Sequence, residues 1–165
     1  MTEENIQKIK EIWNALKGVE DPEIPVISIV DLGIITDVTI DEKGFITVEM
    51  TPTFTGCPAI EVIKKGIEKK LANLGYENYR VELNYKTTWT SNRISDEGRD
   101  KLEKFGLGRP ESHEGEPHME DIANACCPHC GSENTELKSV FGSTLCRSIH
   151  ICHDCRQSFE RFKPV

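Results

Sequence analysis

No stretch of the 165 residues approaches 18 consecutive apolar side chains, and no basic-apolar leader precedes Met1-Thr2-Glu3-Glu4. Neither a membrane span nor export is therefore expected. Positive charge is also short: 20 Lys and Arg stand against 28 Asp and Glu, a formal net charge of -8. That balance disfavours nucleic acid as a partner, because a phosphate backbone is gripped by a basic footprint. No segment carries the paired Glu and Glu-x-x-His arrangement of a diiron helix bundle. Cys57 lacks a Cys-x-x-Cys partner, so a thiol redox enzyme has no local resolving sulfur.

Cysteine itself is plentiful, with seven in the chain. Cys127-Pro128-His129-Cys130 is answered by Cys152-His153-Asp154-Cys155, two Cys-x2-Cys pairs separated by 21 residues. Four thiolates at this spacing can surround one tetrahedral ion, which makes Cys127, Cys130, Cys152 and Cys155 candidate ligands of a structural Zn2+. A cysteine-rich small core, disulfides or an iron site are the alternatives. Thr135 to Val140 and Leu145 to Ile151 read as two strands around a turn at Gly142-Ser143, which would return the second pair to the first. So short a segment buries little, so the metal is expected to supply much of its folding free energy. The cysteine usage fits a reducing cytoplasm.

Charge is unevenly distributed. Residues 1–110 hold 15 basic and 19 acidic side chains, residues 111–125 none and five, and residues 126–165 five and four. The ribbon is thus formally +1, and falls to about -1 when Zn2+ replaces four thiol protons.

At 37% hydrophobic the chain can bury a core, and its length suits one ordinary domain with a small appended one. Ile6, Ile9, Ile12, Trp13 and Leu16 recur at helical spacing from Glu3 to Lys17, with Gly18 as the stop. Asp21-Pro22-Glu23-Ile24-Pro25 is a rigid turn. Asp31-Leu32-Gly33 is another, ahead of a strand from Ile34 to Asp41. Glu42-Lys43-Gly44 connects it to a returning strand, Phe45 to Thr51, with Ile46, Val48 and Met50 on one face.

Thr51-Pro52-Thr53-Phe54-Thr55-Gly56-Cys57-Pro58-Ala59 then opens a helix whose stripe is Ile60, Ile63, Ile67, Leu71 and Leu74. Pro58 suits a first helical turn, placing Cys57 at or just before the helix start. There the thiol would meet unpaired amides and the positive helix end, and its pKa is expected to drop from about 8.5. An inert buried thiol, a reactive thiol, a metal ligand and a cluster ligand all remain open from placement alone.

Tyr79, Val81, Leu83 and Tyr85 alternate with polar residues as a third strand. The expected class is α+β: a small helix-on-sheet domain with an α-β-β-α-β core and an appended C-terminal zinc ribbon. Its sheet edge, or the side away from the helices, is a candidate homodimer surface. Trp89 is either a partner anchor or a core lid. Ser95-Asp96-Glu97 caps a short helix with Leu102 and Phe105 on its apolar side and Gly106 at its end. From Leu107 to Ala125 the composition reads as an acidic tether, and His113 and His118 lie too far apart on flexible chain to favour a metal role. The expected domains are 1–106, linker 107–125 and ribbon 126–165.

Asp21-Pro22-Glu23-Ile24-Pro25, Ile29-Val30-Asp31-Leu32-Gly33 and Thr53-Phe54-Thr55-Gly56-Cys57-Pro58-Ala59 together resemble the iron-sulfur cluster assembly factor family that includes the SufT-like proteins. With Trp89-Thr90-Ser91-Asn92-Arg93-Ile94-Ser95-Asp96-Glu97-Gly98-Arg99 and a ribbon containing Phe141-Gly142-Ser143-Thr144-Leu145-Cys146, the chain resembles the PaaD-type accessory proteins of phenylacetyl-CoA epoxidases. That resemblance implies a maturation factor, not an enzyme, that assembles or delivers an iron-sulfur cluster or iron. Its clients would be epoxidase subunits, an Fe-S-containing reductase above all. A docking or scaffold subunit without cluster binding is the alternative. The resemblance makes Cys57 the cysteine of a labile Fe-S cluster, with Asp21 and Glu23 as the acidic pair of the proline turn. Asp31 belongs to the Asp-Leu-Gly turn, and Thr55 and Gly56 to the loop leading to the cysteine. Cys127, Cys130, Cys152 and Cys155 match the zinc ligands, and Cys146 an additional cysteine of open role. Pro164 stands where similar proteins often place a further cysteine.

Overall fold

The structure is a computed structural model and describes residues 2–54 and 56–165. The chain divides into two compact units, Met1–Trp89 and Thr90–Val165.

The first unit begins with α1, Glu3–Leu16, whose N-cap Thr2 accepts the Asn5 amide at 3.3 Å and whose first turn carries Glu3 and Glu4. Its buried positions are Ile12 and Leu16. The Asp21 carboxylate then accepts the Glu23 and Ile24 amides at 2.8 and 2.9 Å, making the proline turn a self-bonded bend. Ile24, Ile27, Ile29 and Leu32 anchor this loop in the core.

Strands β1, Ile35–Ile40, and β2, Ile46–Met50, pair antiparallel, and β3, Tyr79–Leu83, pairs parallel to β2. The parallel pair requires a crossover, which is α2, Ala59–Asn73. Its stripe Ile60, Ile63, Ile67 and Leu71 is buried, as are Ile46, Val48 and Met50. The order α-β-β-α-β is therefore as the periodicities imply. The uneven alternation of β1 has a cause: the register shifts between Ile35 and Asp37, so Ile34 and Ile35 both turn inward.

β3 is shorter than its alternation suggests. Asn84 stops it by accepting the Lys86 and Thr87 amides on its own side-chain oxygen, at 2.9 and 3.3 Å, and Tyr85 is left 68% exposed. Trp89 is a core lid, 4% exposed, with its indole donating to Leu32 O at 2.8 Å.

The second unit departs most from expectation. Residues 90–106, read as part of the first domain, belong here, together with α3, Asp96–Lys104, capped by Ser95. Residues 107–125 are not a free tether. Gly108 bonds to β6, Ser158–Phe162, in both directions at 2.9 Å, and Cβ on Gly108 would stand 3.0–3.3 Å from Arg161 and Phe159. Within the segment lies a short helix, α4, Met119–Ala123.

Two guanidiniums hold it. Arg161, 1% exposed, donates to Arg109 O, Asp121 O and Ile122 O at 3.3, 2.7 and 3.1 Å. Arg99 donates to Ile94 O, Ser91 O and Pro110 O. A buried cation needs acceptors, and here backbone carbonyls supply them, those of Arg109, Pro110, Asp121 and Ile122 in the acidic segment among them. The ribbon sheet runs β4-β5-β6, with β4 at Thr135–Ser139 and β5 at Arg147–Cys152; β6 is a third strand beyond the two expected.

Candidate functional site and metal centre

Cys57 lies two residues before α2, with Pro58 as N-cap. It is half-buried. Burial pushes its thiol pKa up; the Ala59 amide and the Thr53 side chain pull it down, and the carboxylates of Glu23 and Asp21 push it up again. The balance is upward, which corrects the expected drop. Standing outside the first turn, the sulfur receives the Ala59 amide while losing solvation, and it faces negative charge.

Asp21 and Glu23 of the proline turn thus lie in electrostatic reach of Cys57. Asp31, 8% exposed, is engaged in its own turn: its carboxylate accepts the Ser28 amide at 3.3 Å, and its amide donates to Ser28 Oγ at 3.0 Å. Gly56 has φ +82°, and nothing would lie within 4 Å of a Cβ there, so glycine serves the left-handed turn. Thr55 lies outside the described residues. Beside the loop is a 170 Å³ hollow that includes Thr53, Phe54 and Tyr85.

In the ribbon, Cys127, Cys130, Cys152 and Cys155 bring their sulfurs within 4.8 Å of one another. Cys127 and Cys155 are 3.7 Å apart, and Cys130 and Cys152 3.6 Å. A tetrahedral ion with Zn–S bonds of about 2.3 Å requires S···S separations of about 3.8 Å. The four thiols therefore fit zinc, whereas a disulfide would need about 2.05 Å.

Each knuckle turns through a left-handed residue one position after its second cysteine, Gly131 at φ 73° and Arg156 at φ 61°. The Cys155 and Asp154 amides reach Cys152 and lower its thiol pKa, while the neighbouring Cys130 thiol, 3.6 Å away, is pushed up, so the clustered sulfurs titrate as a set. Cys127 and Cys152 are also half of the ribbon's small core, with Ala125 and Phe159.

Residue patterning did not single out the brace around the metal site. Asp154, between the last two cysteines, accepts Ser132 Oγ at 2.5 Å and Asn134 Nδ2 at 2.8 Å, tying one knuckle to the chain leaving the other. The only prior signal was an acid between paired cysteines. Cys126 and Cys146 lie outside the four-sulfur cluster.

Fold and sulfur geometry together define a class: a small helix-on-sheet domain followed by a four-cysteine zinc ribbon. Residues 9–83 match the family model described as iron-sulfur cluster assembly protein, and residues 111–163 match that of the PaaD zinc beta ribbon domain. The chain is 35% identical over 158 residues to a protein of Escherichia coli (strain K12) described as one of the subunits of a 1,2-phenylacetyl-CoA epoxidase, covering 96% of this chain and 94% of that one. It therefore belongs to the PaaD family. An Fe-S protein maturation auxiliary factor of Porphyromonas gingivalis (strain ATCC BAA-308 / W83) is 35% identical over 98 residues, 59% of this chain and 92% of that one. Among solved structures, a domain of unknown function, DUF59, from Bacillus anthracis superposes with TM-score 0.56 at 29% identity, covering 60% of this chain and 94% of that one.

Proposed function

We propose that this chain is an accessory factor that assembles or hands over an iron-sulfur cluster, or iron, for a phenylacetyl-CoA epoxidase, acting in the cytoplasm without turning over a substrate of its own. Its client is an epoxidase subunit, foremost the Fe-S-containing reductase. The observation that carries this reading is Cys57: a half-exposed thiol at the mouth of α2 with Asp21 and Glu23 in electrostatic reach, inside the segment matching the cluster assembly model.

One cysteine does not complete a four-cysteine shell. The cargo is held by Cys57 together with groups from a second protomer, a small thiol or the client's cysteines, and such incomplete ligation suits transfer. A thiol whose pKa is raised must give up its proton to ligate, so loading strengthens with pH until that pKa is passed. Zinc, held by Cys127, Cys130, Cys152 and Cys155, has a structural part: it closes the two knuckles on each other.

Anaerobic reconstitution of wild type and Cys57→Ser, with iron and sulfide counted and transfer to an apo-reductase followed, tests the reading. Wild type is expected to load and transfer, and the variant to do neither. Equal loading and transfer in both would remove Cys57 from the mechanism. The scaffold reading draws support from the raised, half-buried thiol, and full rescue of epoxidase activity by Cys57→Ser would favour it.

A further inference from the structure

The turn joining β4 to β5 holds two large apolar side chains in solvent, Phe141 at 61% and Leu145 at 57% exposed. Each leaves apolar surface in water that a partner could cover favourably.

Nor is the turn loose. The Phe141 amide donates to Ser139 Oγ at 3.1 Å, and the Ser139 hydroxyl donates to Phe141 O at 2.8 Å. The Ser143 amide and hydroxyl donate to the two Glu160 carboxylate oxygens at 2.5 and 2.9 Å. Arg147 donates to Ser143 Oγ at 3.1 Å and to Glu160 at 2.9 Å. Gly142 is wedged against this frame: a Cβ there would stand 2.8 Å from Glu160 Oε1 and 2.9 Å from Arg147 Cβ. Rigid apolar anchors lose little entropy on binding, the property that makes a few side chains dominate an interface.

Charge narrows the partner. Arg147 and Glu160 neutralise each other at 2.9 Å. The Lys163 ammonium lies 5.4 Å from the Phe141 ring centroid, donates to Val140 O at 3.0 Å, and makes no ion pair among the described residues. The tip therefore offers two apolar anchors and one cation. Tip to tip, a second copy would bring another cation to Lys163, and a single cation is a small footprint for an anionic lipid surface. We propose that Phe141 and Leu145 dock into an apolar recess rimmed by a carboxylate on a partner protein, with Lys163 meeting that carboxylate. Resting on the accessory role proposed above, the inference takes that partner to be an epoxidase subunit.

The test uses the full-length, zinc-loaded chain with p-benzoylphenylalanine replacing Phe141 or Leu145, and the exposed Glu61 as control position, in cells making the epoxidase subunits. Crosslinking to one subunit from 141 and 145 but not from 61 is expected. That subunit, purified, should bind Phe141→Ala/Leu145→Ala about 100-fold more weakly than wild type and Phe141→Leu nearly normally. Zinc content and melting temperature check that the variants fold. Crosslinking no stronger than the control, crosslinking only to a second copy, or wild-type affinity in the double variant would overturn docking. Binding to phosphatidylglycerol vesicles that disappears in the double variant would overturn it in favour of a lipid surface. A crosslinked protein outside the epoxidase whose purified form needs both anchors would keep the docking surface and sink the client assignment alone.

Discussion

The two units reach stability by different means. Residues 2–54 and 56–89 surround a continuous aliphatic interior, with Ile12, Leu16, Ile27, Ile29, Val48, Met50, Ile67 and Leu71 all at 0% exposure. The apolar cluster at the ribbon's metal site is four residues among those described, two of them metal ligands, and elsewhere in the second unit two buried arginines bind backbone carbonyls. An apolar core needs no ion, whereas a core made partly of thiols exists as a core only when those thiols share a cation. Cys57, the cysteine of the proposed cargo site, lies in the first kind of unit and the four clustered sulfurs in the second.

Metal removal should break this contrast most strongly. Structural zinc contributes about 10–16 kcal/mol in small metal-dependent folds. Chelation, or Cys152→Ser, is expected to unfold residues 126–165 while the helical signal of α1 and α2 persists; far-ultraviolet circular dichroism alongside zinc analysis would follow both. Loss of all secondary structure together would mean that the first unit also depends on the ion.

The converse experiment is Ile67→Ala. Removing this fully buried side chain from α2 should cost about 2–5 kcal/mol of the first unit's stability and leave zinc stoichiometry unchanged. Next in size is Arg161→Met, which removes the donor from three carbonyls, Arg109 O, Asp121 O and Ile122 O. Orphaned buried acceptors cost about 1–3 kcal/mol each where water does not reach them. Faster proteolytic cleavage between residues 109 and 122 is the expected readout; an unchanged rate would return the segment to the status of a tether.

Asp154→Ala addresses the metal without touching a ligand. Loss of the bonds to Ser132 and Asn134 should loosen the link between the knuckles and raise the rate of zinc transfer to a chelator. Asp154→Asn, which keeps an acceptor oxygen, should fall between. Identical release from all three proteins would show that sulfur geometry alone retains the ion.

How much of this was legible in the sequence differs between the units for a physical reason. Side-chain periodicity reports burial on a face, so α1, β1, β2 and α2 could be read from their aliphatic stripes, and Cys-x2-Cys spacing carried the four sulfurs. What holds residues 107–125 is invisible to such reading, because Arg161 and Arg99 bind carbonyls that every residue possesses. Composition alone made that segment a solvated linker. Strand β6 was missed because Ser158–Phe162 follows a knuckle and not a hairpin signal. Tyr85 was misassigned because polar-apolar alternation continues past the point where Asn84 folds back on the next two amides.

The smallest expected effect concerns Cys57, where local placement pointed the wrong way. A helix start favours a thiolate, but burial and the Glu23 and Asp21 carboxylates outweigh the Ala59 amide, and the thiol pKa rises. A group whose folded pKa exceeds its unfolded value contributes stability that is whole below the unfolded pKa, about 8.5 for a thiol, and lost as pH climbs through the folded pKa. Stability of the first unit should therefore decline above about pH 8.5, and Cys57→Ser should flatten that decline while changing little at pH 7. Urea denaturation of wild type and variant at pH 7, 8, 9 and 10, followed through α1 and α2, gives the comparison. A decline of equal slope in both proteins would assign the alkaline loss to other groups. It would leave Cys57 free to ionise as an open helix terminus allows, with cargo loading that no longer depends on extracting a proton from a half-buried sulfur.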